Sequence, residues 1–178
     1  MDSFMEMGTT ARHNEIITAL IRKILNFADG GKSKLFHENY SLVYWGKRTE
    51  LDSLELVDIT NIKDIRYFKE NVINELRRIE PDFMLFDKNA YIENEKRTRI
   101  AGFPDLVIEV WSEGNSDMEQ ELKKFLYSTS LATEHWYIRQ DSNDVECFMG
   151  DEVLPPQSLK NILRTQNGVE FNLKHMAI

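Results

Sequence analysis

Two carboxylates, Asp105 and Glu109, interrupt an apolar run that extends from Gly102 to Ser112. A buried, ionised carboxylate without a partner is costly enough that the group takes up a proton instead, so two acids here imply a group that compensates their charge. A divalent metal ion is the simplest such group. Because a metal ion lowers the pKa of its bound water, these residues indicate metal-assisted hydrolysis.

The two acids share one face of a predicted strand, because successive side chains alternate between the faces of a sheet. Four residues at about 3.3 Å each separate Asp105 from Glu109 by about 13 Å, whereas two oxygens on one Mg²⁺ lie within about 4 Å of each other. A third acid, Asp82, belongs to a neighbouring predicted strand, where paired residues bring their Cβ atoms within about 5.5 Å. We therefore predict Asp82 and Glu109 as the metal ligand pair, with Asp105 assisting through an outer contact or a second ion.

A lysine on the following helix could complete this site. At about 100° per residue, Lys123 flanks the apolar stripe of that helix, whereas Lys124 points almost opposite it and is predicted to be solvated. Lys123 could hold the attacking water and offset charge on a scissile phosphate. The stripe itself consists of Met118, Leu122, Phe125 and Leu126.

Each candidate also has a purely structural interpretation. Lys123 could lay its aliphatic stem over the core, Asp105 could bond nearby amides at the start of a strand, and Glu109 could pair with a structural cation. His13 and Glu15 could border the same cleft from the first helix, although the helix dipole alone explains Glu15. Two further polar residues are predicted to pack or hydrogen-bond rather than to catalyse, Tyr127 and His135.

The elements that must position these residues follow from hydrophobic periodicity. Helices are predicted over residues 10–28, over the first half of 61–76, from the capping region 112–117 to residue 130, and over a short stretch at 159–163. Strands are predicted over residues 54–59, 79–86, 105–111, 136–139 and 145–149, with a hairpin or two short strands over 34–45. Residues 87–99 are predicted to form a polar connection to the next strand. The part of the chain that begins at Pro155-Pro156 is predicted to be peripheral to the sheet. This order predicts an α/β fold with a mixed central sheet flanked by helices.

Composition limits the class of protein. With 178 residues and no dividing linker, we predict a single domain over residues 1–178. No apolar run could span a bilayer and no secretory leader is evident, so we expect a soluble, cytoplasmic protein without membrane partners. The lone Cys147 is predicted to be a core residue, and no Cys/His cluster has zinc spacing. A net charge of -8 argues against a protein that coats DNA. It is compatible with a nuclease, because basic side chains and metal ions can reverse the sign of the field where a phosphate binds.

The same residues resemble the Uma-two family of endonucleases, which belongs to the PD-(D/E)xK restriction-endonuclease-like superfamily. The likeness covers about residues 11–149, and the order and spacing of its motifs are more specific than any one of them. The motifs are His13-Asn14-Glu15-Ile16, Glu80-Pro81-Asp82, Gly102-Phe103-Pro104-Asp105, Leu106 to Ser112, Lys123 to Tyr127, and Glu134-His135-Trp136. The usual Glu-Tyr-Trp is Glu134-His135-Trp136 here, and the usual Ser-Pro is Ser112-Glu113.

The resemblance implies a restriction-endonuclease-like fold and Mg²⁺- or Mn²⁺-dependent hydrolysis of phosphodiester bonds in nucleic acid, with DNA as the expected substrate. It implies acidic roles for Asp82, Asp105 and Glu109. The superfamily motif has a lysine two residues after the second acid, but that position is Trp111 in this chain. The resemblance therefore implies that Lys123, on the following helix, takes the place of the motif lysine. A homodimer would let two sites address two strands. Two alternatives stay open: a catalytically silent member that binds nucleic acid or protein, and a structural or dimerising partner without metal affinity.

Overall fold

A computed structural model of the protein describes residues 3–28, 33–37, 41–44, 57–58, 62–71, 77–87, 91–94 and 99–178. The helices are α1 (Ser3–Ala28), α2 (Ile65–Asn71), α3 (Asp117–Ser128) and a short 3₁₀ helix (Lys174–Met176). The strands are β1 (Ser33–His37), β2 (Ser41–Tyr44), β3 (Val57–Asp58), β4 (Arg77–Ile79), β5 (Phe83–Asp87), β6 (Tyr91–Asn94), β7 (Arg99–Gly102), β8 (Leu106–Trp111), β9 (Glu134–Arg139), β10 (Asp144–Met149), β11 (Glu152–Val153), β12 (Gln157–Ser158), β13 (Ile162–Arg164) and β14 (Glu170–Asn172).

The main sheet has the order β1-β5-β8-β9-β10-β11, and β12 pairs with β10. Strand β8 is antiparallel to β5 and parallel to β9, so the sheet is mixed. All six residues of β8 are buried, as expected for a central strand that helices cover on both faces. The predicted α/β fold with a mixed central sheet is therefore confirmed.

Helices α1 and α3 cover opposite faces of this sheet. Alternation along β8 sends Leu106, Ile108 and Val110 into a core shared with α1, whereas Val107 and Trp111 enter a core shared with α3. Both helices thus bury an apolar face on the same strand. Glu109 lies two residues from both Val107 and Trp111, so its side chain points to the same face as theirs. Its carboxylate therefore lies under α3.

The start of α3 follows from a side-chain cap. The Ser116 hydroxyl accepts a hydrogen bond from the Glu119 amide at 3.2 Å, which satisfies a donor that the first helical turn leaves free. The cap lies inside the predicted region 112–117, and the helix ends close to the predicted residue. The loop between β8 and α3 is consequently short, and it returns the chain to the sheet near Glu109.

A smaller sheet has the order β3-β4-β2-β7-β6. Of the two alternatives predicted over 34–45, the two short strands are confirmed and the hairpin is wrong: β1 pairs with β5 in the main sheet, whereas β2 pairs with β4 and β7 in the smaller one. The polar segment predicted over 87–99 is also wrong in part, because β6 and β7 form an antiparallel pair there. Both the pairing of β1 and β2 and the formation of β6 and β7 depend on partner strands that are distant in sequence, and not on local apolar content alone.

Three other local predictions need correction. The strand predicted over 79–86 is interrupted, since β4 ends at Ile79 and β5 begins at Phe83; Pro81 has no amide hydrogen for a ladder. The region after Pro155 is not peripheral, because Leu159, Leu163 and Phe171 are fully buried in the core beside α1. The helix predicted at 159–163 is wrong, and β13 occupies its end.

Among the described residues, no helix is both long enough and apolar enough to cross a bilayer. Cys147 is a buried residue of the α1-side core, as predicted. The assignment of residues 1–178 to a single domain stays a prediction.

Candidate active site

A polar cavity of about 210 Å³ lies where β8 and β9 end and β5 begins. In α/β sheets this carboxyl edge of parallel strands is where ligands bind, because the connecting loops diverge there. The residues that line it are His13, Asp82, Glu109, Val110, Ser112, Asn115, Lys123 and Gln140. Three of the four predicted site residues are therefore brought together.

Glu109 is the most buried of the acids, with 1% of its surface exposed. Its Oε2 accepts a hydrogen bond from Lys123 Nζ at 2.8 Å, and its Oε1 accepts one from the Tyr127 hydroxyl at 2.6 Å. Lys123 and Tyr127 are one helical turn apart on α3, so both reach the same carboxylate. The helix thus holds the acid from two sides, and the predicted hydrogen-bonding role of Tyr127 has a definite partner.

Burial is the largest effect on the Glu109 carboxyl and raises its pKa from 4.5 to about 7, with the nearby Asp82 charge adding to the rise. Lys123 and Tyr127 oppose this rise without cancelling it. Burial is the largest single effect on Lys123 and lowers its pKa, but the charge and hydrogen bond of Glu109, together with the charges of Asp82 and Glu119, outweigh burial, so the net direction of the pKa shift is upward. Lys123 therefore stays protonated at neutral pH. The Glu109 carboxyl titrates near neutral pH, so an added positive charge nearby would favour its ionised form.

Asp82 lies one step before β5. The last pair of the β5–β8 ladder joins Phe83 to Ile108, so continuation of the register sets Asp82 opposite Glu109. The Val110 amide donates to Asp82 Oδ2 at 2.7 Å, because β8 extends past the start of β5 and its amide needs another acceptor. His13 Nε2 lies 3.2 Å from Asp82 Oδ1. The backbone of β8 and a side chain of α1 thus fix this carboxylate.

The two adjacent lysines of α3 differ in their partners. Lys123 is buried and lies 3.7 Å from Glu119 in addition to its bond with Glu109. Lys124 is only partly solvated, and the prediction that it points away from the sheet is wrong: its Nζ donates to Glu146 at 2.6 Å and lies 5.0 Å from the centroid of the Trp111 ring. The rings of Trp111, Tyr137 and Phe148 attract the ammonium group, which keeps Lys124 on the sheet away from the cavity.

Asp105 is not among the residues that line the cavity. It occupies the bend before β8, where its amide donates to the Leu85 carbonyl at 2.9 Å and its carbonyl accepts from the Glu134 amide at 3.0 Å. It is thus at the opposite end of the strand from the cavity. The assisting role of Asp105 stays a prediction.

Sequence reasoning missed three polar residues of the cavity, Ser112, Asn115 and Gln140. Asn115 Oδ1 accepts from the Ser112 amide at 2.9 Å, which closes the loop between β8 and α3. The Gln140 amide donates to the Trp111 carbonyl at 3.0 Å and joins the ends of β8 and β9. Their position directly after two buried strands was the available signal, since parallel strands end at the same edge.

A metal ion fits this donor set in part. Among the described residues, no three His, Cys, Asp or Glu side chains are grouped to hold an ion. Mg²⁺, however, is commonly held by one or two carboxylates and completes its shell with water and phosphate oxygens. Asp82 and Glu109 supply such a pair at one cavity, and each engaged carboxylate oxygen retains a further lone pair.

The mixed sheet has helices on both faces, two acids on neighbouring strands and a lysine of the covering helix beside them. These features define a restriction-endonuclease-like α/β protein. The chain belongs to the Uma2 family, whose model, described as "Putative restriction endonuclease", matches residues 60–174. A crystal structure described as "a putative nuclease belonging to DUF820", from Anabaena variabilis ATCC 29413, is similar to it with a TM-score of 0.55. The two chains are 12% identical, and the match covers 96% of this chain and 82% of the other, which supports the fold. A search of curated proteins finds no match.

Proposed function

We propose that this protein is a Mg²⁺- or Mn²⁺-dependent nuclease that hydrolyses phosphodiester bonds in DNA. The observation that carries the proposal is that Asp82, Glu109 and Lys123 line one cavity at the end of the central strands. Family membership supports nuclease chemistry. The proposal of a metal ion and of a phosphodiester substrate is based on the side chains of the cavity, which are the carboxylates of Asp82 and Glu109 next to the ammonium group of Lys123.

Each residue has a distinct role in this proposal. Asp82 and Glu109 hold the ion, which, when bound, lowers the pKa of water and polarises the phosphate. Lys123 positions the attacking water and offsets negative charge that develops on the phosphate oxygens. Tyr127 and His13 fix the orientations of the two carboxylates. Asp105 assists from outside the cavity.

The electrostatics of Glu109 agree with cation binding. Its pKa of about 7 shows that burial and Asp82 together disfavour a second negative charge in the cavity. A divalent cation between the two carboxylates would reverse that preference and keep Glu109 ionised. Metal binding should therefore release protons near neutral pH, a property that calorimetry in buffers of different ionisation enthalpy can measure.

Cleavage of supercoiled and linear DNA with Mn²⁺, with Mg²⁺ or with EDTA tests the proposal. Glu109→Ala and Lys123→Met should each lose roughly a hundredfold or more in rate, since a preorganised charge near the reacting phosphate is removed. The chain offers a matched control pair on α3 and β10, Lys124→Met and Glu146→Gln, which break an ion pair outside the cavity. Cleavage that survives in Glu109→Ala would reject the assignment.

A catalytically silent binding protein is the second candidate. Both Glu109 oxygens are already engaged by Lys123 and Tyr127, and Trp111 stands where the superfamily has its lysine. This candidate predicts that DNA binding is retained in Glu109→Ala while no metal supports cleavage by either protein. The homodimer also stays a prediction, which sedimentation equilibrium can check.

A further inference from the structure

The described residues contain three buried side-chain polar atoms without a hydrogen-bond partner: Trp111 Nε1, Gln140 Nε2 and Gln140 Oε1. Buried polar groups are nearly always paired, so an orphaned group calls for a specific explanation. All three atoms belong to only two residues. Both residues line a second cavity of about 160 Å³ that adjoins the candidate active site.

The second cavity shares Ser112 and Gln140 with the candidate active site. Its lining also contains Arg12, Trp111, Glu113, Arg139 and Asp141. Gln140 is only 7% exposed and its backbone is held from both sides, by Trp111 and by Arg12 Nε, which lies 2.7 Å from the Gln140 carbonyl. The backbone is thus held in place, and the carboxamide side chain lies at the wall that the two cavities share.

The lining does not suit a phosphate group. Two arginines are balanced by two acids, and Arg12 already donates to the carbonyls of Gln140 and Met176. A phosphate group also offers only acceptors to Gln140, which would leave Gln140 Oε1 unpaired. A metal ion would use that oxygen alone and leave the amide nitrogen unpaired.

A nucleobase edge suits both atoms of the carboxamide. A glutamine side chain pairs with adenine by donating to N7 and accepting from N6, and the Trp111 indole adds one more donor. Because a base inside a cavity is removed from the stack, the nucleotide concerned must be single-stranded or flipped.

On the basis of the proposed nuclease function, we propose that the second cavity binds one nucleobase of the cleaved strand, with Gln140 as the residue that determines base preference. The base belongs to a nucleotide adjacent to the scissile phosphate, because the two cavities share a wall. Adenine is the preferred base, and single-stranded DNA is cleaved faster than the duplex of the same sequence.

Sequencing of the cleaved ends from a randomised single-stranded oligonucleotide tests this inference. Wild type should show adenine enriched about tenfold at one position beside the cleaved bond. Gln140→Leu should lose that enrichment, and the isosteric Gln140→Glu should shift it toward cytosine, whose N4 amino group donates to a carboxylate. Gln166→Leu is the matched control, since Gln166 is exposed and lines neither cavity.

Equilibrium binding of oligo-dA, oligo-dC and oligo-dT, with Ca²⁺ in place of Mn²⁺, separates this inference from the proposed function. An adenine preference that depends on Gln140 supports the inference even if no metal supports cleavage, in which case only the nuclease proposal fails. A preference unchanged in both Gln140 variants, or no preference in wild type, overturns it. Circular dichroism and thermal melting verify that each variant is folded.

Discussion

At the residue scale, the Glu109–Lys123 pair places two charged side chains almost out of contact with bulk solvent, with 1% and 7% of their surfaces exposed. A buried ion pair loses more when one partner is removed than it gains by forming, because the remaining charge has no compensation. Lys123→Met should destabilise the protein by about 3–5 kcal/mol. Lys124→Met breaks a half-exposed pair with Glu146 and should cost about 1 kcal/mol or less. Urea denaturation at pH 7 measures both values.

The double variant Glu109→Gln/Lys123→Met provides the control for that prediction. It removes both charges, so it should be more stable than Lys123→Met alone, and comparison with wild type and with the Glu109→Gln single variant completes the cycle that measures their coupling. Equal stability of the Lys123→Met and Lys124→Met proteins would contradict a buried, uncompensated Glu109 in the single variant.

The two aspartates should differ in their effect on metal affinity. Asp82 lines the cavity with Glu109, whereas Asp105 does not. Loss of a group outside the ligand shell costs about 10- to 100-fold in affinity. Asp82→Asn should therefore lower Mn²⁺ affinity by more than about 100-fold, and Asp105→Asn by about 100-fold or less, as measured by isothermal titration calorimetry. Equal losses would assign Asp105 to the ligand shell.

His135 should make the stability of the protein depend on pH. Burial lowers its pKa from 6.5 to about 4, although the Gly150 carbonyl, 2.8 Å from Nε2, opposes the shift. The folded state therefore binds fewer protons than the unfolded state between these values, so stability rises with pH and is lost as pH falls from about 6.5 to about 4. The loss should approach about 3 kcal/mol.

His135→Phe tests this contribution. The unfolding free energies of wild type and variant, measured from pH 4 to 8, should converge as the pH falls, because the variant has no imidazole to protonate. Other titrating groups, including Glu134, are common to both proteins and cancel in the difference. Parallel curves across that range would refute the assignment.

At the element scale, the turn between β10 and β11 requires glycine. Gly150 has φ +56°, and a Cβ at this position would lie 2.8 Å from the Leu131 Cα. Gly168 has φ +83° but has open space around it. The left-handed conformation costs an alanine about 1–2 kcal/mol, and steric overlap adds about 1–3 kcal/mol. Gly150→Ala should therefore destabilise the protein by about 2–5 kcal/mol and Gly168→Ala by only about 1–2 kcal/mol.

Thermal and urea denaturation of the two alanine variants test whether the turn is packed as described. The backbone requirement is common to both positions, so the difference between them isolates the contact with Leu131. A Gly150→Ala protein as stable as Gly168→Ala would mean that the segment at Leu131 moves aside without cost.

The elements that carry the site could be predicted from the sequence because their signals are local. Alternation along β8 and its pairing with β5 set Asp82 opposite Glu109, and helical spacing chose Lys123 over Lys124 for the contact with Glu109. The partner strands of β1 and β2 could not be predicted, because pairing depends on segments distant in sequence. Gln140 was missed for the same reason: only the fold sets the end of β9 beside that of β8.

At the scale of the whole molecule, the net charge of -8 opposes the approach of DNA. In the proposed nuclease, the carboxylates of the cavity would add repulsion at the point where a phosphate binds. A divalent ion held there would reverse the local sign, so DNA affinity should depend on the ion even when no cleavage occurs. Wild type should bind DNA at least about tenfold more tightly with Ca²⁺ than with EDTA at the same ionic strength.

The variant Asp82→Asn/Glu109→Gln distinguishes a local ion from general screening. It removes both cavity carboxylates, so it should bind DNA with similar affinity in Ca²⁺ and in EDTA. Glu146→Gln removes an acid outside the cavity and should keep the full Ca²⁺ dependence. Fluorescence anisotropy with a labelled oligonucleotide, at matched ionic strength, measures all three proteins. If Ca²⁺ strengthened binding equally in all of them, screening of the overall charge rather than an ion at Asp82 and Glu109 would account for the effect.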